Sequence, residues 1–260
     1  MNHRLNYLIQ AVVRITRVME YSYKIQPYYF LVVTLMRTAI RLLYLIASIL
    51  PFKILLIVST DYSIPAILAP YFSDKVSLAY TLCVFIGVAM VLTKVLEKGV
   101  ENIARFKTKA ILGDQYFRKK KRRNNLDGFI RRSTDVASSC MIVVFSIGLL
   151  FAIQYQIALV VIGLTLACLL TVLLAQGKLD LYVQGSPMKY IEACVTSISL
   201  VSFFTLLYIS INSASPPPFL ILLISLILIR QYTQSLNQIV SAALFFNHKD
   251  AFIERLFTKL

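Results

Sequence analysis

The sequence predicts an all-α, polytopic membrane protein, and three observations lead there. Of its 260 residues, 58% are hydrophobic and only 15% charged, and the mean hydropathy is +0.73, far too apolar for an ordinary soluble domain. Apolar runs of about 18 or more residues recur along the chain, each long enough to cross a ~30 Å hydrocarbon layer as a helix. Their interiors lack the dyad alternation of barrel strands, and a helix satisfies its own backbone hydrogen bonds within lipid.

The chain divides into an N-terminal segment, 1–36, and a membrane domain, 37–260. In residues 2–26, Leu5, Leu8, Ile9, Val12 and Val13 recur at helical spacing with Arg4, Arg14 and Arg17 between them. This is the pattern of an amphipathic helix lying in the inner interface, its basic heads snorkelling toward lipid phosphates. Pro27 interrupts it. The run Tyr28–Met36 is too short to span, so it either lies shallowly or extends the first helix below the membrane, because Arg37 and Arg41 are costly at the bilayer centre.

Six spans follow, at about 40–60, 77–96, 136–153, 157–176, 191–211 and 219–240. No small-residue cleavage site follows the first apolar run, so that span is expected to stay. The turn between spans three and four is Gln154-Tyr155-Gln156, and Pro216-Pro217-Pro218 is a stiff turn before span six. Gly177, Gly185 and Pro187 supply the turn between spans four and five.

Charge fixes the topology. The net charge is +15, and the basic residues fall on segments of one parity. They are Arg4 to Arg41 before and into span one, Lys94 to Arg132 between spans two and three, Lys178 and Lys189 between four and five, and Lys249, Arg255 and Lys259 after six. The opposite segments are neutral or slightly acidic. The positive-inside rule therefore puts both termini in the cytoplasm of a multi-pass plasma (inner) membrane protein. The densest run, Arg118-Lys119-Lys120-Lys121-Arg122-Arg123, reads first as a solvated loop touching anionic lipid and second as a docking surface for an acidic partner. No nucleic-acid-binding module surrounds it, so nucleic acid is not an expected partner.

Between spans two and three lies a cytoplasmic arm at about 97–135. Val95, Val100, Ile103, Ala104 and Ile111 keep helical spacing, so span two is expected to continue beyond the membrane. Asn124-Asn125-Leu126-Asp127-Gly128 reads as a turn, with a new helix starting near Ser133 to Asp135.

Little points to chemistry on the chain itself. Cys83, Cys140, Cys168 and Cys194 have neither C-x-x-C nor zinc-ligand spacing and read as small packing residues. His3 and His248 lack the neighbours of a metal or nucleophile-base site. No G-x-x-x-x-G-K-[ST] phosphate loop occurs. No catalytic residue, metal or cofactor is therefore expected on this chain.

Two intramembrane cations stand out. Arg230 lies near the middle of span six, and helical spacing gathers Gln234, Asn237, Gln238 and Ser241 to its side. An arginine at that depth usually faces a bundle interior, a water-filled cavity or another polar group. The functional reading is a cavity attracting an anionic amphiphile, with Arg230, Gln234 and Gln238 lining it. The plainer one is a structural arginine bonded to helix carbonyls or a neighbouring subunit. Lys53, just after Pro51, is either a cavity-facing cation or one whose stem reaches the outer interface. Tyr21, Tyr23, Tyr28 and Tyr29, and Tyr62 and Tyr71, fit interfacial anchoring.

Gly128-Phe129-Ile130-Arg131-Arg132-Ser133-Thr134-Asp135-Val136 resembles the segment of ABC exporter membrane domains in which a glycine, a hydrophobic pair, an arginine and an Asp-Val step follow the first coupling helix. Ile111-Leu112-Gly113-Asp114-Gln115-Tyr116-Phe117 stands at the approach to that helix. Ala251-Phe252-Ile253-Glu254-Arg255-Leu256-Phe257 is similar to the family's closing step. The resemblance runs from about Arg37 to Leu260 and rests on order, spacing and topology together. It implies a six-helix half-transporter membrane domain whose last span lines the translocation route. It also implies partner coupling through Tyr116, Phe117, Gly128, Arg131, Arg132 and Asp135.

The chain departs from the family in two ways. Only Gln176 to Lys189 joins spans four and five, where the family has a long second arm. The sequence also ends at Leu260, where the family continues into an ATP-hydrolysing domain. The expectation is a membrane subunit of an exporter, paired with itself or a related membrane domain, with ATP bound by an ATPase on a separate chain. The alternative expectation is an exporter-derived scaffold that anchors a biosynthetic enzyme and does not transport.

Overall fold

The computed structural model describes residues 13, 15–17, 19–20, 23, 27–59, 72, 74–112, 120–175, 187–212 and 219–248. Five long helices make up this part: α1 (Pro27–Ser59), α2 (Lys75–Leu112), α3 (Lys120–Ala175), α4 (Pro187–Asn212) and α5 (Phe219–His248). Each contains a stretch long and apolar enough to cross a membrane. The chain is a multi-pass membrane protein, helical almost throughout its described residues.

Local chemistry explains where these helices begin and how they carry polar side chains in lipid. Pro27 and Pro187 are the first residues of α1 and α4, where a missing N–H costs nothing and the fixed φ suits a helix. Asp74 caps α2, its carboxylate accepting from the Ser77 amide at 2.8 Å. Many hydroxyls inside the helices return their protons to the preceding turn. Examples are Thr38 to the Thr34 carbonyl, Thr93 to Ala89 and Thr205 to Val201, which removes most of the desolvation penalty.

Two expectations about the arm meet the structure differently. As read from its spacing, α2 continues as one helix of 38 residues to Leu112. The turn at Asn124 to Gly128 is not there: α3 begins at Lys120 and is helical through those positions. Asn, Asp and Gly disfavour a helix by less than about 1 kcal/mol each, and the helix they continue into outweighs that.

The stretches read as spans three and four fall, up to Ala175, within α3, whose 56 residues contain one non-helical residue, Gln154. Ser139 bonds Gln238, Gln154 accepts from Ser225, and Thr165 bonds Tyr232. A straight helix would carry residue 165 about 39 Å from residue 139, yet both meet α5 less than two turns apart. The path therefore bends back at Gln154, and both limbs of α3 pack along α5.

The main core joins these limbs to the rest of the bundle: Leu45 of α1, Leu150, Ile157, Ala158 and Val161 of α3, Leu206 of α4, and Leu228, Ile229 and Tyr232 of α5. A second cluster at the basic end packs Phe129 and Val136 against Ala242 and Phe246, with Ile15 and Met19 against it. The Phe129 and Phe246 rings meet edge to face at 5.8 Å. All the described residues between 13 and 23 are helical; the rest of that segment lies outside the described residues. A third cluster holds α1 to α2 through Val33, Ile40 and Val100, and Gly99 brings its backbone near Met36. Ser138, Ser146 and Ser202 are fully buried; small residues at helix contacts let backbones approach where lipid supplies no hydrophobic drive.

Candidate functional site

At the basic end of the bundle, α1, α2 and α3 converge on a charged cleft. Arg37 and Arg41 lie four residues apart on α1, as do Asp135 and Ser139 on α3, so each pair shares one helix face. The two faces meet. Arg37 forms an ion pair with Asp135, Arg41 donates to the Ser139 hydroxyl at 2.8 Å, and a second Arg41 nitrogen lies 3.9 Å from Asp135 Oδ1. One carboxylate thus serves two guanidinium groups.

The network reaches α5. Ser139 Oγ lies 3.0 Å from Gln238 Oε1 and 2.7 Å from the Asp135 carbonyl. It has one proton for the two acceptors, and turning the Gln238 amide over makes that side chain the donor. Arg132 donates to the Ser241 carbonyl at 3.4 Å. Three helices that are distant in sequence are thereby fastened by charge and hydrogen bonds at one level.

The opposite wall is α2. Tyr44 donates to Glu97 at 2.9 Å, and Lys94 reaches the other Glu97 oxygen at 2.8 Å. Glu101 pairs with Arg105 at 3.7 Å. Between the walls lies a cavity of about 250 Å³, with Arg37, Arg41, Arg131 and Asp135 on one side, Glu97 and Glu101 on the other, and Ile40, Val100 and Ala104 as apolar floor. The α1/α3 wall is cationic in excess and the α2 wall anionic. Such a site is built to bind charge.

The expected site residues separate into groups. Arg131, Arg132, Asp135 and Gln238 come together here, although Gln238 was read with Arg230. Gly128 is half-buried one residue before Phe129, at the same end. Arg230 and Gln234 are exposed on the outer surface of α5, and Lys53 is half-buried on α1. Tyr116 and Phe117 lie outside the described residues, as does the loop after span four. Among the described residues, no group of three His, Cys, Asp or Glu could hold a metal ion.

Sequence reasoning missed Arg37, Arg41, Glu97 and Glu101 as members of a site. A signal was present: two arginines four residues apart at a membrane boundary need an anionic partner at the same depth, and Asp135 is the acid that flanks span three. Comparison with protein-family models, with curated proteins and with solved structures returned no match.

Proposed function

We propose that this chain is a membrane-spanning subunit of an ABC-type exporter, with both termini cytoplasmic in a plasma (inner) membrane. It forms a translocation unit with a second membrane domain and moves an amphiphilic or anionic substrate, driven by a partner ATPase that binds the ATP. The observation that carries this reading is the exposure of Arg230 and Gln234 on α5. Eleven apolar or hydroxyl side chains, Phe219 to Ile229, precede Arg230, about 17 Å of helix or half the hydrocarbon depth. A charge there facing lipid is costly. A second membrane domain covering this face would enclose a polar route and remove the cost.

Two further features support it. The reversal at Gln154 divides α3 into limbs of about 34 Å and 26 Å for residues 131–153 and 155–171, each near one membrane crossing; counted separately beside the other four helices, they support a reading of six spans. The continuation of α2 to Leu112 and the start of α3 at Lys120 give an arm at the basic end, suited to an ATPase contact.

Photo-crosslinking from Phe117 in native membranes tests the coupling. The expected product contains an ATP-binding polypeptide, and its yield changes with ATP. Capture of a biosynthetic enzyme with no ATP-binding polypeptide would replace this reading by the scaffold that anchors such an enzyme.

A further inference from the structure

We infer that the cleft between α1, α2 and α3 binds a phosphoethanolamine headgroup, supplied by a phospholipid of the leaflet at the basic end of the bundle. The inference goes beyond the exporter reading and needs only that the helices cross a membrane.

Depth comes first. On α2 the stretch Val76–Thr93 is uncharged for about 18 residues, roughly 27 Å of helix, and on α3 the stretch Val136–Ile153 is uncharged over the same length. Both match the hydrocarbon layer. Glu97 and Glu101 follow the first stretch, and Arg131 and Asp135 precede the second. The cleft they line therefore lies at headgroup level. Its volume of about 250 Å³ equals the liquid volume of roughly eight waters, room for the about eight non-hydrogen atoms of phosphoethanolamine. Met90, exposed and seven residues before Glu97 on the same face of α2, offers the attached acyl chains an apolar surface on the membrane side of the cleft.

Charge selects the headgroup. Asp135 is shared by Arg37 and Arg41, and Arg131 adds a third guanidinium to that wall, which suits a phosphate. Across the cavity, Glu97 and Glu101 take their same-helix cations, Lys94 and Arg105, from side chains that are 73% and 66% exposed. A carboxylate accepts through several lone pairs, so both retain capacity for another donor. A primary ammonium supplies N–H donors to them; a quaternary ammonium has none. A purely anionic headgroup would meet the α2 carboxylates with like charge.

The test reconstitutes the full chain in bilayers of equal phosphatidylethanolamine and phosphatidylglycerol, extracts it gently and measures retained lipid by native mass spectrometry. Phosphatidylethanolamine is expected in excess. Glu101→Gln and the double variant Glu97→Gln/Glu101→Gln should each weaken that preference, by about tenfold for the double variant. Lys98→Gln, an exposed neighbour on the same helix, should leave it intact. Because Glu101 pairs only with a solvent-side arginine among its described contacts, the single variant keeps the test decisive if the double variant does not fold. Adding excess soluble phosphoethanolamine separates the sources: displacement of the lipid means the headgroup alone suffices, and persistence means the chains are part of the ligand. Retention of the two lipids in the bilayer ratio, or a preference unchanged in Glu101→Gln and the double variant, would overturn the inference.

Discussion

Arg37 and Asp135, 98 positions apart in the chain, form an ion pair that fastens α1 to α3 at the basic end of the bundle. The Arg37 side chain is 16% exposed and that of Asp135 is 37% exposed, so the pair is sheltered without being sealed. Its removal from one side leaves the other charge poorly solvated. Asp135→Asn should therefore lower stability by about 1–3 kcal/mol, below the cost of breaking a fully buried pair. Arg37→Gln/Asp135→Asn should cost less than the sum of the single changes, with a coupling of about 0.5–3 kcal/mol. Unfolding of the four proteins in detergent measures it, and additive losses would deny the coupling.

Gln154 marks the reversal of α3, and that makes it a topological prediction. In a background with Cys83, Cys140, Cys168 and Cys194 replaced by alanine, Gln154→Cys should react with a membrane-impermeant thiol reagent added outside the cell. Gly128→Cys should react only after the membrane is opened. Labelling of both from one side would rule out a crossing between them.

The edge-to-face contact of Phe129 with Phe246 seals the basic end. Phe246 is 1% exposed, so Phe246→Ala should destabilise by about 3–5 kcal/mol through lost burial and the cavity left behind. Phe246→Leu should cost distinctly less. The difference in melting temperature between the two variants separates packing from a general loss of helix.

At Gly99 an added Cβ would lie 3.1 Å from Met36 Cε, the far end of a flexible side chain. Gly99→Ala should be neutral or stabilising, by up to about 1 kcal/mol from helix propensity. Gly99→Leu should push α1 from α2 and lower the melting temperature. A large loss in the alanine variant would mean that Met36 cannot yield.

Much of the helical organisation was legible because lipid imposes a length and helices impose a period. The apolar runs located every long helix, and the spacing of Val95, Val100, Ile103 and Ala104 announced that α2 outlasts the membrane. What was not legible depended on neighbours. Asn124 to Gly128 has turn composition, but a helix extending through it outweighs weak local preferences. Arg37 and Arg41 look like misplaced charges until Asp135 is set beside them by folding. The polar spacing from Arg230 to Ser241 was readable, yet its division was not. Gln238, Arg230 and Gln234 are all exposed on α5, and what sets Gln238 apart is Ser139 of α3, which packing brings within 3.0 Å of it at the basic end.

The central claim is that this helical bundle works with an ATPase and a second membrane domain. The most direct measurement is purification of the tagged protein from its native host in nanodiscs, with mass spectrometry of the associated chains and their stoichiometry. The account predicts an ATPase in stoichiometric amount together with a second copy or a related membrane domain. Recovery of the chain alone, or with a biosynthetic enzyme and no ATPase, would contradict it.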